Sequence, residues 1–451
     1  VTTLTRSASP GAATLTPSGL ASFTHANDAP VTEARHSAAR RFAERFALIA
    51  FALYHLPLFL NNYPTLGGGG MSDHGLAISW GHVYAPVGVW VARHALHVTG
   101  PMPNAYQGDN GDTGEEYGRL LAAVVVALIG AIVWLWADRR RPRATWAGDA
   151  LRVLLRYSIA LGLASYAIAK ILPLQFPPLN AFSLEQRLGQ LPPMALLWSF
   201  MQYSRPYNFF GGAMELAVVL LLCFRRTALL GALLCLVVMT NVAFFNYAYG
   251  VPVKLYATLI VASAAVLVLY DLRRLFDFFI KDESPPSVRV RSHWPARLPN
   301  WARWTVKTVL VGSVLVSSLV ATIPPVRAQA AASSSLDGAW VVTEFAAGGR
   351  PVGANDGTPR WRRLTLARGL VAIELASDSV MFCRRSTPER VDRLAFACRN
   401  DRKGELQLTR SGNLVQLDGA FDGSPVKLTA RHLERSDYPL LSWRFRWIDD
   451  R

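Results

Sequence analysis

Long apolar stretches recur through the chain between residues 42 and 323, and most are closed by arginine or lysine. An α-helix needs ~20 apolar residues to cross the hydrocarbon layer, because each residue adds only ~1.5 Å of rise. In lipid the backbone must satisfy its own hydrogen bonds, so such stretches can only be helices packed side by side. Composition agrees: 51% of residues are hydrophobic and 17% charged, against ~25% charged in soluble domains.

Seven stretches are expected to span: 42–63, 120–136, 151–172, 208–224, 228–245, 254–270 and 306–323. Arg35, Arg40, Arg41 and Arg45 precede or open the first, and Arg139, Arg140, Arg141 and Arg143 follow the second. Arg152 and Arg156 open the third, Arg225 and Arg226 follow the fourth, and Arg273 and Arg274 close the sixth. The positive-inside tendency then puts every interior basic cluster in the cytoplasm, with the N-terminus inside and the C-terminal domain outside. The formal net charge of +16 is therefore read as membrane topology. No stripe of aromatic and basic residues suits a nucleic-acid backbone, so nucleic acid is not an expected partner.

Two further stretches are expected not to span. Residues 76–98 hold His82, His94 and His97 and are interrupted by Pro86; both ends should lie outside, which makes the stretch re-entrant or interfacial. Residues 176–207 carry Pro177, Pro178, Pro192, Pro193 and Pro206 around an apolar piece, 194–201, too short to cross. Residues 1–37, rich in Ser, Thr, Ala and Pro without an apolar core, read as a disordered tail; no apolar segment precedes residue 46, so the first span should itself direct insertion. The expected division is a bundle over 38–275, a linker over 276–304, a final helix over 305–325 and a β-rich domain over 336–451. Ala328-Gln329-Ala330 after the last span leaves open a retained anchor, which we prefer, or a cleaved one.

The last domain alternates over short lengths, as in Leu364-Thr365-Leu366, Leu414-Val415-Gln416-Leu417, Val426-Lys427-Leu428-Thr429 and Trp443-Arg444-Phe445-Arg446-Trp447, with Gly369, Gly404, Gly412 and Gly423 read as turns. Many short strands at such spacing predict a small antiparallel sandwich or barrel. The expected fold class is thus a mainly α membrane protein, a polytopic helical bundle with a small C-terminal all-β domain. Cys383 and Cys398 fall on neighbouring expected strands and form either a disulfide, which an outside location permits, or two buried thiols. Cys223 and Cys235 lie in apolar runs and read as small hydrophobes.

Polar groups at membrane depth need a reason, since a central charge costs ~2.5–3.5 kcal/mol on insertion scales. Lys170, Glu215, Asn241, Asn246 and Lys254 lie within or at the edge of spans. One reading is an outward-facing polar cavity lined by Glu215 and Lys170, with Lys254 contributing, that holds an amphipathic ligand such as a quinone and lets Glu215 exchange a proton. The other is a Glu–Lys pair that locks helices together beside snorkelling lysines. His82, His94 and His97 recur at nearly helical spacing and invite zinc, copper or iron, or else form an interfacial hydrogen-bond network. No glycine-rich nucleotide loop, HExxH or nucleophile elbow is present.

Three stretches, LLRYSIALGLASYAIAKILPLQFPP, LPPMALLWSFMQYSRPYNFFGGAMELAVVLLLCFRRTALLGALL and NVAFFNYAYGVPVKLYATLIV, resemble the DoxX-like membrane proteins over 151–275. The terminal LVQLDGAFDGSPVKLTARHLERSDYPLLSWRFRWIDD looks like the tail of the large members. The resemblance implies a helical bundle and, from members that are small subunits of a thiosulfate:quinone oxidoreductase, a quinone-linked role. It marks Tyr166, Lys170, Gln175, Glu215, Asn241 and Lys254 as family-like positions. This chain departs from the small-subunit pattern in its segments before residue 151, its added outer domain, and Arg446, which stands where the tail pattern has His. The expected setting is a bacterial inner (cytoplasmic) membrane. The lipid bilayer is the first expected partner, with a membrane or periplasmic protein as a further one. The expected function is redox-associated, binding a quinone or small redox substrate, the alternative being a non-enzymatic scaffold or transport component whose outer β domain recruits a partner.

Single cysteines introduced in the 139–143 loop and on the β domain should label from opposite sides of sealed membrane vesicles. Labelling from one side would overturn the alternating arrangement.

Overall fold

The computed structural model describes residues 37–62, 76–100, 111–138, 146–283, 299–320, 323, 327, 336–353, 359–367, 369–386 and 393–442. The expected N-terminal tail, the 139–143 loop, Ala328-Gln329-Ala330 and the strand at 443–447 lie outside them.

The helical part comprises α1 (Ala38–Asn62), α2 (Leu76–His94), α3 (Gly114–Ala137), α4 (Trp146–Ile171), α5 (Ala181–Glu185), α6 (Pro193–Tyr203), α7 (Arg205–Cys223), α8 (Ala228–Ala248), α9 (Lys254–Leu269), α10 (Leu272–Phe279) and α11 (Asn300–Val320). Four of these, α3, α4, α7 and α8, are long and apolar enough to cross a membrane, and α9 with α10 makes a fifth candidate bent by 66° at their junction. Helices α1 and α11 occupy the positions of the first and last expected spans.

Close packing rests on small residues where helices cross. Helix α2 lies on α3, and a Cβ on Gly118 would overlap the Gly88 carbonyl. On α4 the Gly162 backbone meets the Tyr256 hydroxyl, leaving no room for a side chain. The core contains Leu151, Leu155, Ile159, Val218, Leu222 and Ile260, whereas Ile129, Val133, Val237 and Phe244 face outward. Outward apolar residues on helices of membrane-spanning length are consistent with a bundle set in lipid.

The two ends of the bundle differ in charge. At one end Arg45 pairs with Asp138, the Arg152 guanidinium lies 4.1 Å from the Tyr270 ring centroid, and Arg156 donates from Nε and Nη2 to the Leu222 carbonyl at 2.9 and 2.7 Å. Those bonds satisfy a carbonyl at the end of α7 that the helix itself leaves open. At the other end Asp112 accepts from the backbone N–H groups of Lys254 and Leu255, each at 2.9 Å. A carboxylate there neutralises the positive end of the α9 dipole.

After α11 the chain forms an eight-stranded closed barrel. Its strands run β1 (Gly338–Ala347), the short β2 (Arg350–Pro351), β3 (Trp361–Ala367), β4 (Leu370–Leu375), β5 (Val380–Arg385), β6 (Arg393–Cys398), β7 (Lys403–Ser411), β8 (Leu414–Phe421) and β9 (Ser424–His432). Each of β3 to β9 pairs antiparallel with its sequence neighbour, β1 pairs with β3, and β9 returns to β1. Closure removes the exposed edges that an open sheet would present. The alternation expected from sequence is realised in β8, where Val415, Leu417 and Phe421 face in. Trp340, Trp361, Phe396 and Phe421 are buried inside, so side chains fill the barrel. A short terminal helix, α12 (Pro439–Ser442), follows.

Gly369, Gly412 and Gly423 adopt positive φ at turns, as expected. Gly404 does not mark a turn: it lies within β7, opposite Phe396 on β6, whose ring occupies the space a side chain would need. The composition of a turn and that of an aromatic-covered strand position are the same in a single letter, so only the pairing distinguishes them.

Cys383 and Cys398 are directly opposed on β5 and β6 and are disulfide-bonded, and Cys223 and Cys235 are buried free thiols. Alkylation of the denatured chain should therefore modify two cysteines without reductant and four with it, read by intact mass. Replacing both Cys383 and Cys398 by Ala should destabilise the barrel by ~3 kcal/mol, the chain-entropy value for a loop of this length, measured by denaturant unfolding.

Candidate functional site

Helices α4 and α7 run side by side, because Gly212 lets the α7 backbone approach Ala167, Lys170 and Ile171. Glu215 lies seven residues after Asn208 on α7, two turns along the same face. Lys170, in the last turn of α4, pairs with Oε1 of Glu215. Both side chains are buried, Glu215 to 2% exposure.

That pair leaves chemistry unspent. Glu215 Oε2 is buried without a hydrogen-bond donor among the described residues, and so are Oδ1 of Asn208 and Oε1 of Gln175. All three are acceptors. Asn208 is 1% exposed, and its amide nitrogen donates to the Phe176 carbonyl at 3.4 Å. Asn208 and Glu215 carry theirs on one face of α7, and an unmet buried polar atom costs ~1–3 kcal/mol.

Two tyrosines stand beside the pair. The rings of Tyr166 and Tyr256 have centroids 6.1 Å apart, and both hydroxyls lie within electrostatic range of Glu215. They sit deep among the helices yet keep accessible surface.

Of the positions singled out from sequence, the structure brings Lys170, Glu215 and Tyr166 together. Gln175 lies just past α4, its backbone N–H donating to the Ala169 carbonyl at 3.0 Å. Lys254 turns elsewhere: its Nζ donates to Asp112 Oδ2 at 3.1 Å. Asn241 is exposed on α8, away from the pair, whereas Asn246 is buried and donates to the Val253 carbonyl at 3.4 Å. His94 is exposed; its Nδ1 donates to the Trp90 carbonyl at 2.8 Å, and its ring stacks on Trp90. His97 is also exposed, and the side chain of His82 lies outside the described residues. Among the described residues no three His, Cys, Asp or Glu side chains converge as a metal site would require.

Buried His55 contacts Ser263 Oγ through Nε2 at 3.0 Å. Ser263 gives its own proton to the Leu259 carbonyl at 2.6 Å. It must therefore accept from His55, whose Nε2 carries a proton. This ties α1 to α9.

Sequence reasoning passed over a second buried polar group. Thr113, Glu115 and Glu116 open α3, Glu116 pairs with Arg119, and Tyr54 lies within electrostatic range of Glu116, Arg119, Asp112 and Tyr166. The acidic residues Asp112, Glu115 and Glu116 stand just before and within this helix start. Its overlooked signal was Thr113-x-x-Glu116, a helix-start pattern; the Thr113 hydroxyl accepts from the Glu116 backbone N–H at 3.3 Å.

No protein-family model matches the chain, and no solved structure matches it. The uncharacterized protein YwoB of Bacillus subtilis (strain 168) is similar, 27% identical over 124 residues, which are 28% of this chain and 79% of that protein.

Removing one member of the ion pair strands the other. Lys170→Ala should cost ~3–5 kcal/mol, whereas the double change Lys170→Met, Glu215→Leu should fall much closer to the parent, as for other buried pairs. Thermal unfolding in detergent would measure both.

Proposed function

We propose that this chain is a DoxX-like, redox-associated protein of a bacterial inner membrane that binds a quinone, or a small redox substrate of similar polarity, at the α4–α7 seam. The observation that carries this reading is the buried Glu215 carboxylate, with one oxygen on Lys170 and the other without a donor among the described residues. A hydroquinone hydroxyl is a donor of the required kind. Lys170 supplies the positive charge that favours an ionised Glu215, and a hydroxyl placed at Oε2 can pass its proton to that carboxylate. Tyr166 and Tyr256 offer aromatic faces to a planar ring. A quinone, once bound, supplies the two-electron chemistry; the chain's own residues bind, orient and manage the proton. In this reading the basic end of the bundle faces the cytoplasm and the barrel lies outside, the arrangement that the arginine clusters favour.

A second reading makes the chain a non-enzymatic scaffold or transport component whose barrel recruits a membrane or periplasmic protein. Its support is that Trp340, Trp361 and Phe396 fill the barrel interior while Val380 and Phe382 on β5 remain exposed. Such a barrel offers its outer surface, not a cavity.

Binding of a short-chain hydroquinone analogue to purified protein separates the two. Glu215→Gln and Asn208→Ala should each weaken it by ~10–100-fold, as expected for a lost hydrogen bond to a charged or buried partner worth ~1.5–3 kcal/mol. Absence of binding by the parent protein, or equal binding by both variants, would remove the quinone reading.

A further inference from the structure

The connection from α4 to α6 does more than join two helices. At its start Phe176 packs with Leu197, Met201 and Val251 in a small core at the bundle's end. Further along, α5 lies on β3 and β1 of the barrel. The outer face of β3 departs from simple alternation there: Thr365, which should point outward, is buried.

The contacts across this junction are mostly charged. Glu185, which ends α5, pairs through Oε2 with Arg363 and accepts through Oε1 from the Tyr438 hydroxyl at 2.6 Å. Arg187 pairs with Asp378 at 2.7 Å and lies 3.6 Å from Glu374. Arg362, on the barrel, also pairs with Asp378 at 2.7 Å and contacts Glu374. The side chains are graded in exposure, with Glu185 at 11% and Arg363 at 31%, against 50% for Arg187 and 49% for Asp378. The inner pair is therefore less open to water than the outer pair.

We propose that this cluster is a latch: the barrel docks on the α4–α6 connection through Glu185 and Arg187, and so controls the position of a strap laid over the Asn208 end of the bundle. The strap reaches the bundle through the Asn208–Phe176 hydrogen bond, giving a continuous path from barrel to seam. The pairing also shows in the acids and phenols involved. Hydrogen bonding from Arg187 holds the Asp378 carboxyl below its ordinary range, and burial together with the Glu185 carboxylate raises the Tyr438 hydroxyl. The proposal stands on the docking contacts alone and needs no particular ligand in the bundle.

Surface ion pairs of this kind weaken in salt, whereas shielded ones resist it. Spin labels at Gln190→Cys on the strap and Leu414→Cys on the barrel, in a full-length chain with Cys223→Ala and Cys235→Ala, would read the docking by pulsed EPR in lipid. The expected result is one narrow distance distribution, lost in Glu185→Arg and recovered in Glu185→Arg with Arg363→Glu. Arg187→Glu should broaden the distribution too and, because the less exposed Glu185–Arg363 pair is what then remains, should respond less to salt than Glu185→Arg. A distribution unchanged by both single variants, or left broad by the Glu185–Arg363 charge exchange, would overturn the latch.

Discussion

An apolar environment lets a charge persist only where a counter-charge or other polar partners meet it, and this constraint organises the helical part of the molecule. Lys170 and Glu215 meet between α4 and α7. Lys254 meets Asp112, and Arg45 meets Asp138. Each pair joins segments distant in sequence. Each therefore selects one packing of helices that apolar contact alone would leave less determined, because lipid competes with protein for apolar surface and provides little drive for helices to associate. Small residues then allow the approach: Gly212 beside Lys170, and Gly118 against Gly88.

The barrel follows different physics. Its outer surface tolerates charge, so its ion pairs lie across exposed neighbouring strands, as with Arg393 and Glu405. Its stability comes from an aromatic and aliphatic interior, a closed strand order and a disulfide. A filled interior directs any binding by this domain to its outside, and the outside of β3 already carries α5. The charged junction there lies on the same connection that begins beside the candidate site.

The site itself combines a satisfied half with an unsatisfied half. Lys170 satisfies one oxygen of Glu215, which makes an ionised carboxylate tolerable at that depth. The remaining acceptors, on Glu215, Asn208 and Gln175, have no donor among the described residues. Chemistry that brings donors to these atoms would gain both hydrogen bonds and relief of their desolvation.

Much of this was legible in the chain's letters, and the reason is physical. Helices in an apolar medium must be made of contiguous apolar residues, so α3, α4, α7 and α8 could be placed by counting; strands in a barrel must alternate, so β8 and β9 could be placed by period. Rare polar residues inside those runs pointed to Lys170 and Glu215. Partnership was decided only by tertiary structure. Lys254 and Lys170 look alike in sequence, yet one meets Asp112 from the segment just before α3 and the other meets Glu215. The Cys383–Cys398 bond, the role of Gly404 beneath Phe396, and the grip of Arg363 on Glu185 likewise depend on strand register and domain placement. Periodicity along a chain encodes which face is apolar; it carries no record of which distant residue will stand opposite.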